Sequence, residues 1–108
     1  MRQLTTSLVQ CDLRWEDPAA NHRHLETLLG DKDGRDTDVM VLPEMFATGF
    51  TMNSREHAQP MAESQSVAWM VAQAKARGCV MTGSVAIEEG GHYYNRLIWA
   101  TPDGEMTL

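Results

Sequence analysis

The run Val39-Met40-Val41-Leu42 is the feature that most constrains the fold. It is continuously apolar, carries β-branched residues, offers no polar position to water, and is stopped by Pro43. A strand of this kind is buried on both faces, the usual condition of strands in a parallel sheet covered by helices. The segments before it agree. Residues 4–11, LTTSLVQC, alternate loosely and read as a first strand. Asp17-Pro18 opens a helix, with Asp17 as N-cap and Pro18 in the first turn. Leu25, Leu28 and Leu29 form its apolar stripe, and Gly30 with the polar run Asp31-Lys32-Asp33-Gly34 ends it.

Residues 44–60 show no period and read as an ordered loop. Val67, Met70, Val71 and Ala74 fall at helical spacing and predict a second amphipathic helix over about 64–77. Ser64 or Ser66 is its expected cap and Gly78 its C′ residue. Residues 79–87 read as a third strand, 88–91 as a turn and 93–100 as a fourth strand. Pro102-Asp103-Gly104 is a turn signal, and 105–108 open a fifth strand. The order predicts an α/β first part followed by an antiparallel meander, all in one domain over residues 1–108. The last strand has scarcely begun where the sequence stops, so the expectation is a truncated chain.

A hydrophobic content of 43% and a charged content of 22% suit a globular protein. Aromatic residues are 6%, so eight Met and the aliphatic residues must supply most of the interior, with Trp15, Trp69 and Trp99 as the large pieces. The net charge of −6, without a Lys/Arg-rich run, argues against nucleic acid as a partner. No apolar stretch approaches the roughly 20 residues of a membrane helix. The N-terminus reads directly as a strand, which predicts an unprocessed, cytoplasmic start. Cys11 and Cys79 form no CxxC pair and are expected to be reduced, partly buried thiols in strands.

Glu44 is the candidate for chemistry. It follows the buried strand directly, at the carboxyl end where α/β folds place their ligand sites. A carboxylate held at a pocket floor is partly desolvated, which raises its pKa and suits it to general base work. Spacing alone favours an ordinary loop Glu that caps a turn or pairs with Arg55 or Arg96.

The motifs around Glu44 go further. The run Val41-Leu42-Pro43-Glu44-Met45-Phe46-Ala47-Thr48-Gly49-Phe50 resembles the strand-to-loop segment of the nitrilase superfamily that ends in its catalytic glutamate. Gly83-Ser84-Val85-Ala86-Ile87 resembles that family's next core strand, and Tyr94-Asn95-Arg96 the segment with its Tyr-Asn pair. Thr101-Pro102-Asp103-Gly104-Glu105 resembles the turn leading toward its catalytic lysine, and Phe50-Thr51-Met52 points to the omega-amidase-like branch. The resemblance runs over essentially the whole chain.

That resemblance implies the N-terminal portion of a four-layer α-β-β-α sandwich, incomplete in this chain. It implies a Glu, Lys and Cys triad with no metal and no organic cofactor. The thiolate attacks an amide or nitrile carbon, the Glu moves the protons, and the Lys stabilises the oxyanion. Small α-keto acid amides such as 2-oxoglutaramate are the implied substrates, and a homodimer is the implied assembly. The catalytic Glu maps to Glu44. Asn95 is expected to order the loop around Glu44 and, with Phe50, to stand on the substrate side of the site. The lysine is expected a few residues beyond Leu108, and the cysteine much further on. Lys32, Lys75, Cys11 and Cys79 lack the family's context and are rejected for those roles, so the chain alone is expected to be inactive.

Other residues have plainer readings. His22 and His24 lie on a helix, where i and i+2 diverge, so a shared metal is not expected and His22 reads as a half-buried packing residue. His57 and His92 read as solvated, and Gly90-Gly91 as a hairpin turn. Asp12, Asp17, Glu88 and Glu89 read as solvated residues or caps. Phe46, Phe50 and Met52 are readable either as pocket lining or as core. Two other functions stay open: a non-catalytic truncated product that associates with another chain, and a different C–N hydrolase, whether carbamoylase, aliphatic amidase or nitrilase.

Overall fold

The apolar run forms the buried strand its composition requires, and its neighbours lie parallel to it. The computed structural model of the chain describes residues 3–49 and 54–108, the side chains of 54 and 55 excepted. In chain order the elements are β1 (Thr6–Leu8), α1 (Pro18–Leu29), β2 (Val39–Val41), α2 (Ser54–His57) and β3 (Gln59–Pro60). A 3-10 turn (Met61–Glu63), α3 (Gln65–Arg77), β4 (Val80–Glu89), β5 (His92–Ala100) and β6 (Met106–Thr107) follow. The sheet runs β1-β2-β4-β5-β6, parallel from β1 to β4 and antiparallel from β4 to β6. This is the mixed α/β arrangement the sequence predicted. No described helix is long and apolar enough to cross a membrane.

Both long helices start where their caps dictate. Asp17 Oδ1 accepts the Ala20 N–H at 3.1 Å, with Pro18 as the first residue of α1. Ser64 Oγ accepts the Val67 N–H at 3.1 Å, and α3 ends on Gly78 in the left-handed region at φ 70°. The buried stripe of α1 is Asn21, Leu25 and Leu29. Leu28, expected in that stripe, is exposed, because burial follows the i, i+4 row that faces the sheet.

Side chains alternate across the sheet. Met40, Met81, Val85, Ile87, Ile98 and Ala100 enter one core with Leu25, Leu29, Val67, Met70 and Ala74 of the helices. The alternate set on β4 and β5, from Thr82, Ser84 and Ala86 to Asn95, Leu97 and Trp99, faces the other way. On that side Leu97 and Trp99 are exposed, as is Leu8, which pairs with Val41.

Several sequence expectations are corrected. The loop over 44–60 contains α2 and β3. β3 is stabilised by pairing with Ile87 and Glu88, a contact far away in sequence, so no local period announces it. β4 runs on to Glu89, where Arg96 pairs with it at 3.1 Å, which narrows the turn to Gly90-Gly91. β1 is shorter than residues 4–11, leaving Cys11 in the segment after it, and Cys79 sits just before β4.

Candidate active site

β2 and β3 both pair with β4 in parallel, β2 at Val80–Thr82 and β3 at Ile87–Glu88. β5 occupies the opposite edge of β4 along almost its whole length. The stretch from Gly83 to Ala86 therefore has an edge that neither β2 nor β3 covers. The chain leaving β2 fills this place. Leu42 N–H donates to Thr82 O at 2.8 Å, Pro43 follows, and Met45 N–H then donates to Ser84 Oγ at 2.8 Å. Glu44 lies between these two anchors.

The rest of the turn is held from several sides. Gly49 N–H and Thr48 N–H donate to Met45 O at 2.8 and 3.1 Å. Asn21 of α1 donates from Nδ2 to Ala47 O at 2.6 Å and to Arg14 O at 2.7 Å, while its Oδ1 accepts the Arg14 N–H at 2.7 Å. Glu16 N–H donates to Thr48 O at 2.5 Å. Phe46 is fully buried, 5.5 Å from the Trp69 ring and 6.1 Å from His22. Met45 has φ 49°, a left-handed conformation uncommon for a residue with a side chain.

Asn95 of β5 donates from Nδ2 to Glu44 Oε1 at 3.0 Å. The two candidates named from sequence, 51 residues apart, thus meet. Arg96, one of the two alternative partners for Glu44, pairs with Glu89 instead, and the side chain of the other, Arg55, lies outside the described residues. The expected burial of Glu44 is corrected: its side chain is exposed. The physical reason is that Asn95, Leu97 and Trp99 lie on the sheet face away from α1 and α3, so the helices give the carboxylate no cover. Phe50 and Met52 lie outside the described residues.

Neither cysteine is set up as a nucleophile. Burial pushes the Cys11 thiol up, and Asp12 adds to the effect. Burial likewise pushes the Cys79 thiol up. A thiol held neutral attacks poorly. Among the described residues, no group of three or more His, Cys, Asp or Glu could hold a metal ion. His22 stacks on Trp69 at 5.1 Å and bonds to Ser66 Oγ at 2.9 Å, whereas His24 is exposed. His57, expected to be solvated, is half-buried and pairs with Glu16 at 3.2 Å. A cleft of about 550 Å³ lined by Asp12, Leu13, Arg14, Asn21, Arg23 and His24 includes neither Glu44 nor Asn95.

Ser84 and Asn21 are site-shaping residues that sequence reasoning did not single out. The signal for both was a polar residue inside an apolar pattern, which burial penalises unless a partner is supplied.

The sequence profile of the carbon-nitrogen hydrolases matches residues 5–108. The chain belongs to the carbon-nitrogen hydrolase family. The chain is 39% identical over 106 residues to the omega-amidase YafV of Yersinia enterocolitica, covering 98% of itself and 40% of that protein. It is 27% identical over 103 residues to the 2-oxoglutaramate amidase of Bacillus subtilis, across 94% of itself and 39% of that protein. Among solved structures, XC1258 of Xanthomonas campestris, a CN-hydrolase superfamily protein, superposes with a TM-score of 0.91 at 40% identity. That match covers 99% of this chain and 40% of XC1258. The chain therefore spans about 40% of the length of these relatives. Nit3 of Saccharomyces cerevisiae shares the fold, with a TM-score of 0.78 at 23% identity.

Proposed function

We propose that the protein carrying this chain is an omega-amidase that hydrolyses small α-keto acid amides such as 2-oxoglutaramate, with Glu44 as its general base. The observation that carries the reading is the placement of Glu44. Its carboxylate projects from a turn anchored to β4, at the end of a buried strand, with Asn95 on Oε1. A base positioned in this way needs only its second oxygen to take a proton from a nucleophilic thiol and later from water. The names of the relatives at 39% and 27% identity support the choice of substrate.

In this reading Phe50 and the second hydrogen of the Asn95 amide stand on the substrate side. The lysine and cysteine of the triad come from sequence other than these 108 residues, and the chain alone is inactive.

The test is ammonia release from 2-oxoglutaramate by the whole protein, beside a carbamoylated amino acid, an aliphatic amide and a nitrile. Glu44→Gln keeps the shape and removes the base, so a loss of at least about 100-fold in kcat is expected. Retained turnover in that variant would refute the role of Glu44. Preference for one of the other compounds would move the protein to another branch of the family. Ammonia release by the 108-residue chain itself would overturn its assigned inactivity.

A further inference from the structure

We propose that Ser84 is a positioning residue for Glu44, an inference that rests on the general base reading. Ser84 lies in the middle of β4 within Val80-Met81-Thr82-Gly83-Ser84-Val85-Ala86-Ile87, and it is buried. A buried hydroxyl in such a strand is tolerated when it is hydrogen bonded. The bond it makes is to the N–H of Met45, at 2.8 Å.

That N–H belongs to the peptide unit joining Glu44 to Met45. The unit is planar, so fixing its N–H fixes the orientation of the Glu44 carbonyl and the backbone torsion that aims the Glu44 side chain. The torsion on the other side of the same unit is the left-handed φ 49° of Met45. Such a conformation persists at a residue with a side chain only where its surroundings determine it. Ser84 supplies that determination from β4.

Asn95 completes the arrangement. Ser84 is opposite Leu97, and Asn95 is opposite Ala86, so Ser84 and Asn95 are diagonal neighbours on one face of the β4-β5 pair. Ser84 holds the backbone of Glu44, and Asn95 holds its carboxylate. Glu44 is thus aimed by two adjacent strands and does not depend on the loop alone. A base displaced by an ångström keeps its chemistry but loses its alignment with the proton it must take.

The experiment compares Ser84→Thr with Ser84→Val in the whole protein, beside wild type and Glu44→Gln. Thr and Val have nearly the same shape and both suit a strand, and only Thr keeps the hydroxyl. Ser84→Val is expected to lower kcat by about 100-fold with KM changed less than about threefold, and Ser84→Thr to restore most of it. Amide hydrogen exchange at Met45 is measured on the same samples. It is expected to be about tenfold faster in Ser84→Val than in Ser84→Thr, whatever the turnover. Equal kcat in the Thr and Val variants, or equal protection of the Met45 amide, overturns the role of Ser84 while leaving Glu44 as base. Full activity in Glu44→Gln instead removes the base reading, and the inference with it. Loss of fold in Ser84→Val alone, seen by circular dichroism, counts against a positioning role.

Discussion

Asn21 shows how one side chain shapes the site without reaching it. It is fully buried on α1, and its amide ties Arg14 to Ala47, so the segment before α1 and the Glu44 turn move as one piece. Its neighbour His22 carries a pH dependence. Burial against Phe46 and Trp69 lowers its pKa from the ordinary 6.5, with Glu26 opposing in part. For a histidine held neutral in the fold, the unfolded chain binds the proton more readily. The stability it contributes is therefore complete above the unfolded value and declines as pH falls below it. Urea unfolding midpoints of wild type are expected to drop between about pH 7 and about pH 5.5 by more than those of His22→Gln. An equal drop in both would show that His22 is not the group responsible.

At the scale of elements, the fit between β4 and the Glu44 turn is tightest at Gly83. A Cβ there would stand 2.9 Å from Leu42 Cβ and 3.3 Å from Phe46 Cδ1. Leu42 and Phe46 flank Glu44 and are both buried, so neither has space to yield. Gly83→Ala is expected to destabilise the fold by about 1–3 kcal/mol, as overpacking does in other cores. A thermal melt measures this, and an unchanged melting temperature would mean that the turn moves more easily than its packing implies. Polar bonds add to the apolar packing between α1 and α3. Trp69 Nε1 donates to Glu26 Oε1 at 2.6 Å, and Arg77 donates to Gly30 O and Lys32 O at 3.0 and 2.8 Å.

For the whole molecule, charge and apolar surface act against each other. The net charge is −6 at neutral pH and the isoelectric point is near 5.0. Leu8, Leu97 and Trp99 are 79%, 61% and 40% exposed on the sheet face away from the helices, an apolar surface whose self-association the net charge opposes. Light scattering of the 108-residue chain is expected to rise as pH is lowered from about 7.5 toward the isoelectric point. Replacing Leu97 and Trp99 with Ser should reduce that rise. Scattering that is flat across the range would show that this face does not drive association.

The elements whose causes are local were legible in the sequence, whereas α2 and β3 were not. Asp17-Pro18, Ser64 and Gly78 mark the helix ends by their own hydrogen bonds or backbone freedom, and Val39 to Leu42 declares its burial by composition. Glu44 was legible as a candidate because Pro43 ends that strand just before it. Partnership was not legible. The bonds from Met45 to Ser84 and from Asn95 to Glu44 span 39 and 51 residues, and the pairing of His57 with Glu16 is also between distant segments. Periodicity reports which face a residue occupies, whereas a contact depends on which strands become neighbours. By itself the sequence determined an α/β chain with a carboxylate at the end of a buried strand. Only the tertiary structure decided the contacts of that carboxylate and its turn, because the order β2-β4-β5 brings the Ser84 hydroxyl to the Met45 N–H beside it and the Asn95 amide to its Oε1.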